Sequence, residues 1–417
     1  MKNYYRLLLT TILCSTSVFA DEEGITIKPS GGFDFTSGYI DNNGANPNEK
    51  VSANKNNFGF LTTARLLLTI ENKLPNNISY GAKIALNTST RSDRKMPTSL
   101  FFESDSGKWE LGSEKSAVSK MRITGYSNAA ATGGCWDVWV RPDIRYNPSL
   151  NRPEISYVTN SSNFLDAKTR NVNDIEFSRK ITYYTPEIKG FQLGVSYVPD
   201  TSNIGSHTTK DPSYHLGKLY PYYGYNFDIK DGVGVGITKK FQFDEKTSAK
   251  ISFVGETGKV VYKYKLPQET PKASLILPPP DNLKFKKLRT YSVGAELKHD
   301  KWAFSGGYMN YEKSLTANSE LFDAPDRKTT YLYSAGAKYS FEKLSVSGHY
   351  FKSNNKKNTI GAATFGMDYK LAPGILPYAE VTFYNAKGWY RNAPTDKNFI
   401  ADKHKGTLFL VGTKLEF

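Results

Sequence analysis

The chain has 417 residues, with 55 Lys or Arg against 40 Asp or Glu for a formal charge of +15, and a mean hydropathy of −0.51. No run supplies the roughly 18 consecutive apolar residues that a membrane-crossing helix needs. Two cysteines do not make a disulfide framework, and 28 Tyr with 24 Phe are too much aromatic surface for a chain that stays disordered.

Residues 1–20 read as a secretory leader. Lys2 and Arg6 form its charged start, residues 7–13 its apolar stretch, and Val18, Phe19 and Ala20 a cleavage site before Asp21. Leu13 directly before Cys14 argues against a lipoprotein-type cut. Removal of the leader leaves Cys135 as the single thiol, and 53 basic against 40 acidic residues, or +13.

The rest of the chain, 21–417, is read for period two rather than for hydropathy. Apolar and polar positions alternate at 25–36, 58–71, 77–89, 98–104 and 108–113, then at 180–184 and 191–197 around a tight turn at 186–190. The pattern continues at 232–243, 248–262, 289–299, 302–312, 329–341, 344–353, 358–372, 375–388 and 406–417, sixteen strands in all. Residues 222–229 could add one more.

The connections sort into two alternating kinds. Short ones fall at 72–76, 105–107, 186–190, 244–247, 300–301, 342–343 and 373–374. The others, mostly long, fall at 37–57, 89–97, 114–175, 199–231, 262–288, 313–328, 353–358 and 388–405. An up-and-down membrane barrel with both termini on the short-turn side requires this segregation, and a soluble sandwich has no reason for it. The fold class is therefore all-β, a transmembrane antiparallel barrel of about 16 strands, which is wide enough to leave an aqueous lumen.

Within each strand the larger apolar set should face lipid and the small or charged set the water inside. Trp302, Phe304 and Tyr308 oppose Ala303, Ser305 and Gly307, for example. On that alternation Arg65, Lys83, Lys108, Glu110 and Lys180 are candidate lumen residues, and the four cations would form a basic wall in the first third of the barrel. A structureless connection as long as 114–175 is uncommon unless functional. Folded inward, it would narrow the lumen and bring Asp137, Asp143, Glu154, Asp166 and Asp174, together with Arg141 and Arg145, near that wall.

Other chemistry has little support. His207, His215, His299, His349 and His404 have no metal-binding spacing, and a lone Cys135 cannot clamp zinc, so no metal and no cofactor are expected. The GVGVG run at 232–236 lacks the spacing of a nucleotide loop and reads as small strand residues. The basic run 283–289 fits contact with anionic lipopolysaccharide or a solvated loop end better than nucleic acid in an exported chain.

Four segments resemble the Gram-negative general porins, particularly their alphaproteobacterial-type members. ITYYTPEIKGFQLGVSYVPD at 181–200 resembles a strand-turn-strand signature of that family. SGKWELGSEKSAV at 106–118 resembles the strand leading into its inward-folded third loop, and GITIKPSGGFDF and GTKLEF resemble its first and last strands. The resemblance implies an outer-membrane homotrimer in contact with lipid and lipopolysaccharide. Each barrel would pass ions and small hydrophilic solutes passively through a constriction between the 114–175 loop and the basic wall. The loop departs from the enteric pattern: it has no recognisable acidic tip and is rich in arginine and aromatics, including Trp136 and Trp139. Because loop and wall together are net basic, a weak anion preference is expected. Rival readings are an adhesin or structural barrel with a blocked lumen, a barrel enzyme at the outer rim, and a substrate-specific channel.

Overall fold

The computed structural model describes residues 24–43, 57–89, 98–134, 136–140, 146–147, 152–153, 178–201, 225–264, 284–314, 329–355, 358–390 and 400–417. The first half holds β1 (Thr26–Asn43), β2 (Phe58–Lys73), β3 (Ser79–Ser89), β4 (Thr98–Ser104), β5 (Gly107–Ser113), β6 (Tyr146–Asn147), β7 (Arg152–Pro153), β8 (Arg179–Tyr184) and β9 (Phe191–Asp200). The second half holds β10 (Tyr225–Gln242), β11 (Thr247–Tyr264), β12 (Leu288–His299), β13 (Trp302–Glu312), β14 (Thr330–Ser340), β15 (Leu344–Asn355), β16 (Asn358–Tyr369), β17 (Ile375–Tyr390) and β18 (Ile400–Glu416).

Strands β6 and β7 pair only with each other, and the remaining sixteen form one closed barrel in chain order, with β1 hydrogen-bonded to both β2 and β18. The seam is tied at its end by Gly31 N to Phe417 O at 2.8 Å and Phe417 N to Gly31 O at 3.1 Å. Closure leaves no strand edge, the condition for a sheet to sit in hydrocarbon. No helix among the described residues is long and apolar enough to cross a membrane.

Residues 225–229 do not make an additional strand. They continue β10 beyond a bulge at Asp231, where φ is 49° and the register with β11 shifts between Lys230 and Val233. The short connections sit at one end of the barrel. In one of them Asp244 accepts bonds from the N–H groups of Lys246 and Thr247, both at 2.8 Å, and these hold its carboxyl below the usual carboxylate range.

Register carries one face around the ring. Phe365, Val381, Phe409, Tyr39 and Phe58 stand directly opposite one another across β16, β17, β18, β1 and β2. All point outward, as do Phe60 at 65% exposure and Val411 at 59%. Large apolar side chains this exposed and this contiguous need a hydrocarbon surround. Aromatic pairs mark the two rims of the band: Trp302 with Tyr339 and Trp109 with Tyr183 near the short turns, each 4.7 Å between centroids, and Tyr308 with Tyr331 at 6.3 Å on the other rim.

The β4–β5 turn depends on Gly107, whose φ is +126° and whose absent Cβ would press on the Tyr184 carbonyl. We expect Gly107→Val to cost about 1–3 kcal/mol in backbone strain alone. Refolding into detergent followed by unheated gel electrophoresis should then give a markedly smaller fraction of compact barrel than the parent; an equal fraction would show that the turn tolerates a side chain.

Candidate functional site

After β5 the chain turns into the lumen and runs along the inner wall. Ser116 caps the short helix Ala117–Met121, its Oγ accepting from Ser119 N at 3.4 Å. Ala117, Val118 and Met121 are buried with Tyr184 and Val254. From there several backbone groups of the crossing segment meet side chains of the strands it passes. Ala117 N donates to Ser196 Oγ on β9 at 2.8 Å, and Ser252 Oγ on β11 donates to Met121 O at 2.5 Å. Gly125 N donates to Ser334 on β14 at 2.8 Å, while its carbonyl accepts from Ser305 on β13 at 3.0 Å and from His349 Nδ1 on β15 at 2.8 Å. Ala130 N reaches Ser347 on β15 at 3.0 Å, Ala131 N reaches Asp368 on β16 at 3.1 Å, and Thr132 N and Oγ1 reach Glu380 on β17 at 3.2 and 2.7 Å. Lys414 on β18 closes the series by donating to Ala131 O.

This seating requires that the wall have no bulk where the backbone passes. Gly194, Gly236, Gly294, Gly307, Gly336 and Gly366, on six strands, lie under it. A Cβ at Gly194 would stand 2.6 Å from Met121 Sδ, one at Gly307 2.6 Å from Ile123 O, and one at Gly366 3.1 Å from Ala131 Cβ. Glycine and serine thus share the inner positions along the track, glycine giving room and serine a bond. Gly236, the last residue of the GVGVG run, owes its smallness to this contact.

The inner face is not polar throughout, as strict alternation had implied. In the long-loop half of β9–β18 it carries Val198, Ile229, Leu288, Met309, Leu332, Phe351, Ile360, Leu408 and Leu410, each 2% exposed or less. Trp136 joins this cluster fully buried, its ring 6.1 Å from Phe351 and its Nε1 donating to Tyr126 OH at 3.3 Å. A side chain inside a barrel can be apolar where it is covered, and here the covering includes Tyr126, Trp136, Trp139 and Val140 of the crossing segment.

The opposite wall, β2–β5 and β8, carries the charges. Arg65 is exposed and inward-facing, and among the described residues no carboxylate pairs with it. Lys83 and Lys108 face inward on either side of the buried Phe101, their Nζ atoms 5.5 and 5.3 Å from its ring centroid. They are not bare cations. Lys108 pairs with Glu103 at 3.0 Å and Lys83 with the buried Glu110 at 3.9 Å. Lys120, from the crossing segment, reaches Glu110 at 2.5 Å and Glu114 at 3.7 Å.

Lys180 lies on the expected face but is only 3% exposed, with Nζ held by the carbonyls of Glu114 at 2.5 Å and Ser178 at 2.7 Å. It ties both ends of the inward loop together. The helix Asp137–Val140 includes Asp137, but neither that side chain nor Arg141, Asp143, Arg145, Glu154, Asp166 and Asp174 falls within the described residues. Cys135 is also outside them. Phe101 and Glu103 were not singled out from sequence, although their inward parity with Lys83 and Lys108 was readable. The glycine track was missed too, because its members are spread over six strands.

A closed antiparallel barrel with an apolar outer band and a chain segment folded across its lumen is the architecture of an outer-membrane channel protein. Residues 8–388 match the model of the Gram-negative porin family, and the chain belongs to that family. Its members are non-enzymatic channels of the outer membrane. Similar relatives include uncharacterized proteins of Rickettsia conorii, 31% identical over 99% of each chain, and of Rickettsia felis, 32% identical over 99% of this chain and all of the other. Among solved structures, the anion-selective porin from Comamonas acidovorans shares the fold, with a TM-score of 0.53 at 13% identity over 94% of this chain and all of that one.

A valine at Gly307 collides with the Ile123 carbonyl and should lift the crossing segment off β13. The expected outcome is a barrel that still folds in detergent but shows larger or more variable unit conductance than the parent. An unchanged conductance histogram would mean that the track does not set the aperture.

Proposed function

We propose that the protein is a passive diffusion channel for ions and small hydrophilic solutes, exported through its 1–20 leader. The observation that carries this reading is the asymmetry of the lumen. One wall, β9–β18, is occupied by the crossing segment, whereas the facing wall carries accessible charged side chains, Arg65, Lys83 and Lys108 among them, which Lys120 of the segment approaches through Glu110. Water and solutes therefore pass on the side of β2–β5 and β8, over that wall and the Lys120–Glu110 pair that joins the crossing segment to it. Carboxylates Glu103, Glu110 and Glu114 offset the lysines there, which leaves Arg65 as that wall's own contribution to a weak anion preference.

The trimer is supported by the height of the wall. Strand β5 has 7 residues and β8 has 6. At about 3.3 Å per residue and a tilt of about 40°, seven residues rise about 18 Å, well short of a hydrocarbon layer about 30 Å thick. Their outward residues Trp109 and Ile181, each 47% exposed, would face a second copy more readily than lipid. Native detergent extracts should contain a particle of three chains, and a single-chain mass at all protein loads would overturn the trimer.

The test of the channel is conductance in a planar bilayer across a salt gradient. Long-lived openings with a reversal potential slightly favouring anions are expected. A unit charge at about 7 Å in water is worth about 0.6 kcal/mol, or a factor of about three in ion occupancy. Arg65→Glu should therefore turn the preference towards cations, and Lys83→Glu should act in the same direction. The buried apolar cluster of the outer half favours one rival, a lumen closed or selective at its outer side. A silent bilayer with correctly folded protein would establish closure.

A further inference from the structure

A second group of cations lies inside the barrel, away from the wall just described and on the short-turn side of the crossing segment. Lys240, Lys250, Lys298 and Lys338 all occupy inward positions on β10, β11, β12 and β14. The register shows this directly: Lys240 stands opposite Lys250, Lys250 opposite Glu296, and Lys298 and Lys338 stand on either side of Ala303. Like charges directly across a strand pair destabilise it unless something of opposite sign is shared between them. Two carboxylates are in reach: Glu187 pairs with Lys240, and Glu296 pairs with Lys298 at 2.8 Å while also accepting from Asn128 at 3.2 Å. Among the described residues Lys250 and Lys338 have no ion-pair partner.

The residues between these lysines are small or hydroxylic. Ala303 lies between Lys298 and Lys338, Ser248 stands opposite Lys298 and Ser347 opposite Lys338, and Ser340 and Ser345 take the next inward positions towards the turn. Ammonium groups that outnumber their carboxylates, separated by hydroxyls and backed by a low-dielectric wall, are the chemistry that holds an oxyanion with more than one negative charge. A monovalent anion would meet one lysine at a time, screened over about 8 Å at physiological ionic strength. A di- or polyanion can bridge Lys250 and a neighbour simultaneously.

We propose that the inner wall of β10–β14 at the short-turn mouth is a docking lane for small multivalent oxyanions. It rests on the channel reading and adds to it a class of solute and a side of approach. The lane is distinct from the Arg65 wall, so the two can be separated by mutation.

The probe is inorganic pyrophosphate, added to either side of a bilayer holding the refolded full barrel in potassium chloride. Added on the short-turn side, it should reduce the current saturably, and with a lower half-blocking concentration than from the other side. The double variant Lys250→Gln, Lys338→Gln should raise that concentration at least fivefold at unchanged potassium chloride conductance, while Arg65→Gln should leave it within twofold. Block of equal strength in the parent and the double variant, or no block of an open parent channel, would overturn the lane. Absence of any potassium chloride current would instead count against the channel itself. Should the double variant fold poorly, Lys338→Gln alone, with unheated gel mobility as the folding check, gives the same comparison.

Discussion

Every backbone N–H and C=O that enters hydrocarbon must find its partner within the protein, and the rest of this molecule follows from that requirement. A sheet meets it only by closing, and closing needs a first and a last strand that fit each other. Strand β1 pairs with β18 over Gly32 to Glu416 and onward to Asn43 with Lys405, so the seam is as continuous as any other pair. Once closed, the barrel has two unlike surroundings, and a side-chain period of two sends every strand's residues alternately to one and the other. Phe, Leu and Val go to lipid for this reason.

The crossing segment faces the same requirement without a strand to pair with. Its N–H and C=O groups are inside the barrel, partly cut off from water, and an unpaired group there would cost about 1–3 kcal/mol. The wall supplies what a neighbouring strand would otherwise give: Ser196, Ser252, Ser305, Ser334 and Ser347, then Asp368 and Glu380 as the segment approaches β17. Hydroxyls reach the backbone only if the backbone comes close, and it comes close only over glycine. The alternation of glycine with serine along the inner face is thus one solution to two constraints, space and hydrogen bonding. With Lys414 of β18 added, the segment is held at eight strands and has little freedom to swing.

Much of the architecture was legible because period two is local. Sixteen strands, their order and the alternation of short and long connections could be read from single segments, and the observed ends of β2, β4, β12 and β13 differ by two residues at most. The bulge at Asp231 hid the continuity of β10, since an inserted residue shifts the alternation and makes 225–229 look separate. The site was legible only in parity. That Lys83, Lys108, Glu110 and Lys180 point inward followed from counting, but what they meet there did not. Lys120 comes back to Glu110 only because the chain turns inward after β5, and Lys180 is buried because Glu114 and Ser178, 64 positions apart in sequence, return to the same place. The apolar inner residues were hidden for a related reason. Phe351 follows Tyr350, so hydrophobicity alone does not say which of the two faces lipid, and the register does.

The low wall and the narrow passage have a common origin. Strand β5 stops after Ser113 because the described residues that follow it, up to Val140, turn into the lumen instead of extending the sheet, and β8 resumes the ring at Arg179. Each residue diverted inward is lost to the height of the wall at that point of the ring. The barrel is therefore lowest where the constriction leaves it, and Lys180 pins that point by binding the carbonyls on both sides of the departure. A barrel with such a notch presents less apolar height to lipid at β4, β5 and β8 than at its longer strands. The occupied lumen and the low wall are then two consequences of one excursion of the chain. A barrel that lost the excursion would free the inner face of β9–β17 and regain wall height at β5 and β8.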